Sequence, residues 1–256
     1  MKRIILASAL FLTTNITLTS CAELLAILEH VEENGGEVKD VLTNDEIIRG
    51  LKDALVHGAD TAVAKLSIKD GYFGNEALKI LLPQEAKPVL DRLEKVPLMD
   101  QLIADAILSV NRAAEDAATA AKPIFVNTVK NMTIEEGLAI LKGTDTAATH
   151  YLREKTYQQL YNAFKPKIQT SLEKDLVKGL SAEESYKKVI NTYNTASING
   201  MLWEPIKNNS LAEHTTHKAL QGLFTKVAQE EKLIRENPVH RVTDILKRVF
   251  GFVFED

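Results

Sequence analysis

Arg153 and Glu230 are the two charged residues whose positions promise chemistry. Counted at about 100° per residue, each falls in the middle of an otherwise apolar helical stripe. Arg153 lies among Ala148, Leu152, Leu160 and Phe164, and Glu230 among Ala212, Ala219, Leu223, Val227 and Ile234. Asp145, Thr149 and Thr156 share the first stripe; Thr216 lies in the second, with Glu231 towards its edge. A carboxylate centred in an apolar face needs a cation or a shifted pKa, and the planar guanidinium fork suits a bidentate carboxylate contact. We therefore expect Arg153 and Glu230 to meet across two helices, with Asp145, Thr149, Thr156 and Thr216 completing the hydrogen bonds. Such a set could be a buried ion-pair network fixing helix register, the lining of a pocket for a small polar or anionic ligand, or a general base held beside an arginine. The first role is the plainest, because no nucleophile, metal set or phosphate loop accompanies the pair.

Other residues offer less. Asn111 and Glu115, four apart beside an apolar face, are expected to satisfy a neighbouring helix end. His214 and His217 have a possible metal-ligand spacing, but with no third ligand evident they read as a solvated pair. Lys232, Arg235, Arg241, Lys247 and Arg248 form a basic cluster, expected to be a solvated face, with an anionic partner or headgroup as the alternative. No Gly-rich phosphate loop, Gly-x-Ser-x-Gly elbow or His-Glu-x-x-His occurs. No catalytic residue, metal or cofactor is assigned from the sequence.

The elements that must position these groups are helices. The stretch from Gly143 to Lys178 is helix-compatible throughout, starting at Gly143-Thr144-Asp145 and bent or split at Pro166. Thr43 with Glu46, Thr133 with Glu136, and Ser181 with Glu184 have capping-box spacing, opening helices over Glu46–Leu66, Ile134–Lys142 and Ala182–Thr195. Further helices are expected over Gln84–Glu94, Leu98–Ala121, Ile124–Asn131, Leu211–Glu236 and Val242–Phe250. Ser67 to Pro83 does not read as helix: Asp70-Gly71 and Gly74-Asn75 mark turns, and Ala77 to Leu82 could be extended. Tyr72 and Phe73 make packing the expected role of that segment. Ser197 to Ser210 is a loop carrying Trp203 and Pro205.

The amino terminus carries an expectation of where the chain goes. Met1-Lys2-Arg3 followed by an apolar run from Ile4 to Leu12 reads as an export signal, too short to span a bilayer. It ends in Leu18-Thr19-Ser20-Cys21, which fits the bacterial lipobox, with Cys21 receiving diacylglycerol before cleavage on its amino side. Cys21 is the chain's only cysteine, so no disulfide framework or metal–thiolate site is available. Ala22 follows it, and no aspartate is there to signal inner-membrane retention. The expected location is the outer membrane, lipid-anchored, with the body facing the periplasm.

Loss of residues 1–20 removes Lys2 and Arg3 and takes the formal charge from −4 to −6. That mildly acidic body argues against nucleic acid or anionic lipid as partners; the membrane, through the anchor, and an envelope protein are the partners to expect. Residues 21–42 read as the lipidated cysteine and a tether. Residues 43–256, at a composition 45% apolar and 26% charged overall, read as one helical domain.

Asp70–Asn75 (DGYFGN), Asn111–Glu115 (NRAAE), Gly143–Thr149 (GTDTAAT) with Tyr151–Thr156, and Gly222–Phe224 through Ile234–Pro238 (IRENP) together resemble an uncharacterised bacterial envelope family, domain of unknown function 4197. The resemblance runs from about Gly50 to Gly251. It implies a helical, exported and often lipidated protein, and attaches no reaction to it. The family's Tyr-Val-Thr at the start of the last long helix stands here as His214-Thr215-Thr216, which keeps the threonine and drops the aromatic. The fold class expected is all-α, a single-domain bundle of about seven to nine helices centred on two long antiparallel ones, with one irregular segment near residues 67–83. The function expected is a binding or structural module of the envelope. A carrier of a small or hydrophobic ligand between helices and an enzyme with a site around Arg153 and Glu230 are the rivals.

Overall fold

Two 26-residue helices run past one another with their apolar stripes facing. In the computed structural model these are α6 (Ala147–Leu172) and α8 (Leu211–Glu236). Glu231 meets Ala148 and Thr149, the Phe224 ring stacks on Tyr157, and Glu213 pairs with Lys165. As one number rises the other falls, so the helices are antiparallel. Residues 43–93, 99–177, 180–198, 200–207, 210–241, 243–245 and 247–248 are described. Cys21, the leader and the tether lie outside them, as does much of the helix expected over Val242–Phe250.

Around this pair stand α1 (Asn44–Leu66), α2 (Lys87–Leu93, entered through a 3-10 turn at Gln84–Ala86), α3 (Met99–Ala118), α4 (Ala121–Lys130), α5 (Ile134–Leu141) and α7 (Ala182–Ala196). Helix α1 packs on α4, α5 and α8, while α3 packs on both α6 and α8. The described body, from Thr43 onwards, is one compact all-α unit. Among the described residues no helix is long and apolar enough to cross a membrane.

Both threonine capping boxes form: each threonine hydroxyl accepts from the N3 amide while the N3 glutamate reaches back to the cap amide. The Ser181 hydroxyl accepts from Glu184 N–H, and Ser210 does the same for Glu213 at the start of α8. The stripe of α6 is buried as Ala148, Leu152, Leu160, Phe164, Ile168 and Leu172. Pro166 does not split α6; burial of Phe164 and Ile168 on either side holds one helix through it. The helix is nonetheless shorter than the sequence suggests, because residues 175–177 and 180–181 form a small antiparallel pair after it.

Residues 67–83 fold without helix or strand, as expected. Tyr72 is fully buried, its hydroxyl donating to Ala219 carbonyl at 2.8 Å. Burial pushes that phenol's pKa well above its ordinary range. Its ring lies over Gly222, where an added Cβ would sit 2.7 Å from Tyr72 Cε1. Glycine is what lets this segment reach α8.

Candidate functional site

The Arg153–Glu230 pair does not form. Arg153 is exposed, its guanidinium over the rings of Phe224 and Tyr157 at 5.7 and 5.9 Å from their centroids. Glu230 is buried and turned to α1, where Lys65 Nζ lies 2.7 Å from Oε1; Lys226, one turn earlier, is 3.8 Å away. The register explains the miss. With Glu231 level with Thr149, and Tyr157 level with Phe224, Arg153 falls opposite the Phe224–Val227 turn and not opposite Glu230. A long stem also lets an arginine leave an apolar stripe and lay its charged head over aromatic faces.

The carboxylate that meets α6 is Glu231. Its Oε1 accepts from Ala148 N–H at 3.1 Å, and its Oε2 from Thr149 N–H at 2.9 Å and Thr149 Oγ1 at 2.7 Å. The first amides of a helix lack internal partners and carry the positive end of its dipole. Thr146 makes no side-chain cap there, so a glutamate from another helix fills the role. Arg235, one turn on, donates through Nε and Nη2 to Glu231 Oε1 at 3.1 and 3.0 Å. Its Nη2 also reaches Ile140 carbonyl near the end of α5 at 3.4 Å. Anion at the start of α6 and cation at the end of α5 each match the local dipole.

Two further glutamates work in the same way. Glu115 Oε1 accepts from Tyr72 and Phe73 N–H, both at 3.1 Å, while Arg112 bridges Glu115 at 2.6 Å and Asp70 at 2.7 Å. Glu183 Oε2 accepts from Ala212 N–H at 2.8 Å in the first turn of α8, and Lys187 lies 3.1 Å from Oε1. Asn111 pairs with one residue as a strand neighbour would: Oδ1 accepts from Ile80 N–H and Nδ2 donates to Ile80 carbonyl, both at 2.8 Å. Asn111 and Glu115 thus serve the irregular segment, not a helix end.

The remaining sequence candidates disperse. Asp145 precedes α6 and is exposed, so its place on the helical wheel had no meaning. Thr156 and Thr216 are buried, but each hydroxyl donates to the carbonyl four residues back, Leu152 and Ala212, the usual resolution for a mid-helix threonine. His214 Nε2 donates to Leu81 carbonyl at 2.9 Å, and burial holds its pKa below the ordinary 6.5. His217 Nδ1 lies 2.9 Å from Tyr157 hydroxyl. The histidines therefore face different neighbours. Among the described residues no group of three or more His, Cys, Asp or Glu is placed to hold a metal.

The basic cluster is not one solvated face. Arg235 and Arg241 are buried, the latter donating to the Ile234 and Arg235 carbonyls at 3.4 and 3.2 Å near the end of α8. Lys232, Lys247 and Arg248 are exposed and sit near Glu236, Asp244 and Glu46.

Between α1, α6 and α8, beside Glu231 and Arg235, there is a cavity of about 30 Å³ lined by Leu51, Leu55, Ala59, Leu152, Val227 and Ile234. That is room for about two water molecules. A groove of about 230 Å³ runs between residues 77–84 and α8, with His214, Lys218, Gln221 and Thr225 along one wall.

Glu183 and the Glu231–Arg235 pair were not singled out as a buried network from the sequence. The available signal was Glu-x-x-x-Arg and Glu-x-x-x-Lys spacing on a face with apolar neighbours, but that spacing is common on exposed helices. What the interior defines is an all-helical bundle whose buried charges tie helix ends and one irregular segment to their neighbours. The chain belongs to the family described as Protein of unknown function (DUF4197), which it matches over residues 41–251. Among curated proteins and among solved structures there is no match.

Proposed function

We propose that this is a lipoprotein of the outer membrane, carried by acyl chains on Cys21, whose helical body is a periplasmic binding or structural module. The observation that supports the module reading is the state of the buried carboxylates. Glu115, Glu183, Glu230 and Glu231 each have a cation within 3.1 Å, and Glu115, Glu183 and Glu231 also accept backbone N–H groups. A general base must be able to reach a substrate proton; these groups are engaged in holding the fold. The enzyme rival loses the Arg153–Glu230 constellation on which it rested. The carrier rival loses its place between the two long helices, where the cavity of about 30 Å³ at the α1–α6–α8 junction is far below the size of a lipid tail; the groove of about 230 Å³ beside α8 is the space left to a small ligand.

The anchor reading rests on Leu18-Thr19-Ser20-Cys21 and the lone cysteine. Its test is the mass of the full chain matured in a diderm host. The expected product begins at Cys21, carries the added mass of acyl chains and fractionates with the outer membrane, and Cys21→Ser abolishes both the cut and the mass. A product cut elsewhere and free of acyl groups would overturn it.

A further inference from the structure

The loop after α7 presents apolar side chains outward. Ile198, Met201 and Leu202 are 56%, 80% and 59% exposed, all within one turn of chain. Isolated exposed apolar residues are ordinary, whereas a contiguous set marks a contact surface. From Ala196 to Trp203 there is no Asp, Glu, Lys or Arg, in a chain that is 26% charged. Glu204 and Lys207, of opposite sign, stand at the rim, their side chains 83% and 89% exposed.

This tip is held in shape. Asn194 clamps the returning chain through both Ile206 N–H and Ile206 carbonyl at 2.8 Å. Ser197 Oγ accepts from Gly200 N–H at 3.1 Å, Met201 N–H donates to Ile198 carbonyl, and Leu202 N–H to Ser197 carbonyl. Trp203 lies against Tyr193 of α7, ring centroids 5.3 Å apart. Ile198 adopts φ of +51°, a left-handed conformation disfavoured for a β-branched residue and native to glycine. A strained residue held by its surroundings is a pointer to function. Here glycine would suit the backbone better, and what isoleucine adds is an exposed apolar side chain.

We propose that this tip docks into the lipid–water interface of a phospholipid bilayer, as a membrane contact additional to the Cys21 anchor. The inference rests on the anchored reading for the nearness of the membrane. Area decides between a bilayer and a protein. Three side chains exposed to this degree present on the order of a few hundred Å², while a stable protein interface takes about 800 Å² from each partner. An interface of lipid needs no matching surface, and exposed apolar side chains are what it accepts; Trp203, packed behind them with its indole nitrogen buried, serves as the reporter. Because the rim charges cancel, docking needs no anionic lipid and is insensitive to salt.

Trp203 is the chain's only tryptophan, so the test reads one site. The mature chain is reconstituted in phosphatidylethanolamine vesicles containing a minority of phosphatidylglycerol, with and without brominated acyl chains. The expected result is quenching of Trp203 by the brominated lipid and greater protection from aqueous iodide than in the lipid-free chain, both unchanged by added salt. Met201→Ser with Leu202→Ser should shift the docked fraction about tenfold or more. Ile198→Gly should reduce quenching while leaving thermal stability equal or higher, a combination that a purely structural loop would not give. Trp203 open to iodide on vesicles, or protected from iodide yet untouched by brominated lipid as in self-association or a protein contact, overturns the proposal. The anchor stands or falls separately, by the mass at Cys21; an unacylated chain is added to the same vesicles and read in the same way.

Discussion

Glu231 and Thr149 are joined twice across α8 and α6: the carboxylate Oε2 accepts from the threonine's amide at 2.9 Å and from its hydroxyl at 2.7 Å. With Ala148 N–H on Oε1, a side chain from the last turns of one long helix caps the start of the other. The antiparallel register is set at this point, and Arg235 makes the burial of Glu231 tolerable.

The first prediction follows from that dependence. Arg235→Met leaves Glu231 buried without its cation, and breaking a buried pair from one side costs about 3–5 kcal/mol. Arg153→Met removes an exposed cation over two rings, a loss of about 0.5–1 kcal/mol. Urea unfolding of the two variants should give a much lower midpoint for Arg235→Met. Equal midpoints, or the reverse order, would return the structural centre to Arg153.

Much of this was readable in advance, and the failures share a cause. Helix bounds followed from local rules: capping boxes at Thr43 and Thr133, and the start and stop of α8 at Leu211 and Glu236, agree with the structure. The apolar stripes were also right. What a helical wheel lacks is the height at which one helix crosses another, so it could not tell which polar residue on α8 faces which on α6. Glu230 and Glu231 are about 100° apart on their helix, and that step sends one to Lys65 and the other to the start of α6. The wheel also assumes that the helix exists, an assumption that fails at Asp145.

Asn111 and Glu115 should act together on one segment. Asn111→Ala strips partners from Ile80 N–H and carbonyl, at about 1–3 kcal/mol for each buried group left unsatisfied. Amide exchange at Ile80 should then accelerate, while Glu115→Ala should accelerate Tyr72 and Phe73. Exchange unchanged at those three amides would mean that the segment is held by packing alone.

Gly222 is a steric test of the same segment. Gly222→Ala places a methyl 2.7 Å from Tyr72 Cε1, and because Tyr72 is fully buried with its hydroxyl bonded to Ala219, the ring has little freedom to move. Overpacking of this kind costs about 1–3 kcal/mol. The loss should be largely absent when Tyr72→Leu is already present, since the atom in conflict is then gone. A full additional loss in that background would place the strain elsewhere in α8.

Glu136 gives the acid limb of stability a specific member. Lys155 Nζ lies 2.8 Å from Oε1, Thr133 N–H donates to Oε2 at 3.0 Å, and Tyr151 hydroxyl donates to Oε2 at 3.2 Å. Together they hold the carboxyl at a pKa of about 2, down from an ordinary 4.5, and burial beside that carboxylate pushes the Tyr151 phenol up to about 12. The ionised form is favoured by the fold, so the unfolded chain takes up the proton first as pH falls. The contribution of Glu136 is complete above about pH 4.5 and is lost as pH falls towards about 2. The carboxyl carbon of Glu136, followed by NMR, should titrate near the lower value. Glu136→Gln should be less stable than the parent at neutral pH, and the difference should close across that window. A midpoint at the ordinary value, or a deficit that persists to the lowest pH, would mean that Glu136 ties α5 to α6 by packing and not by charge.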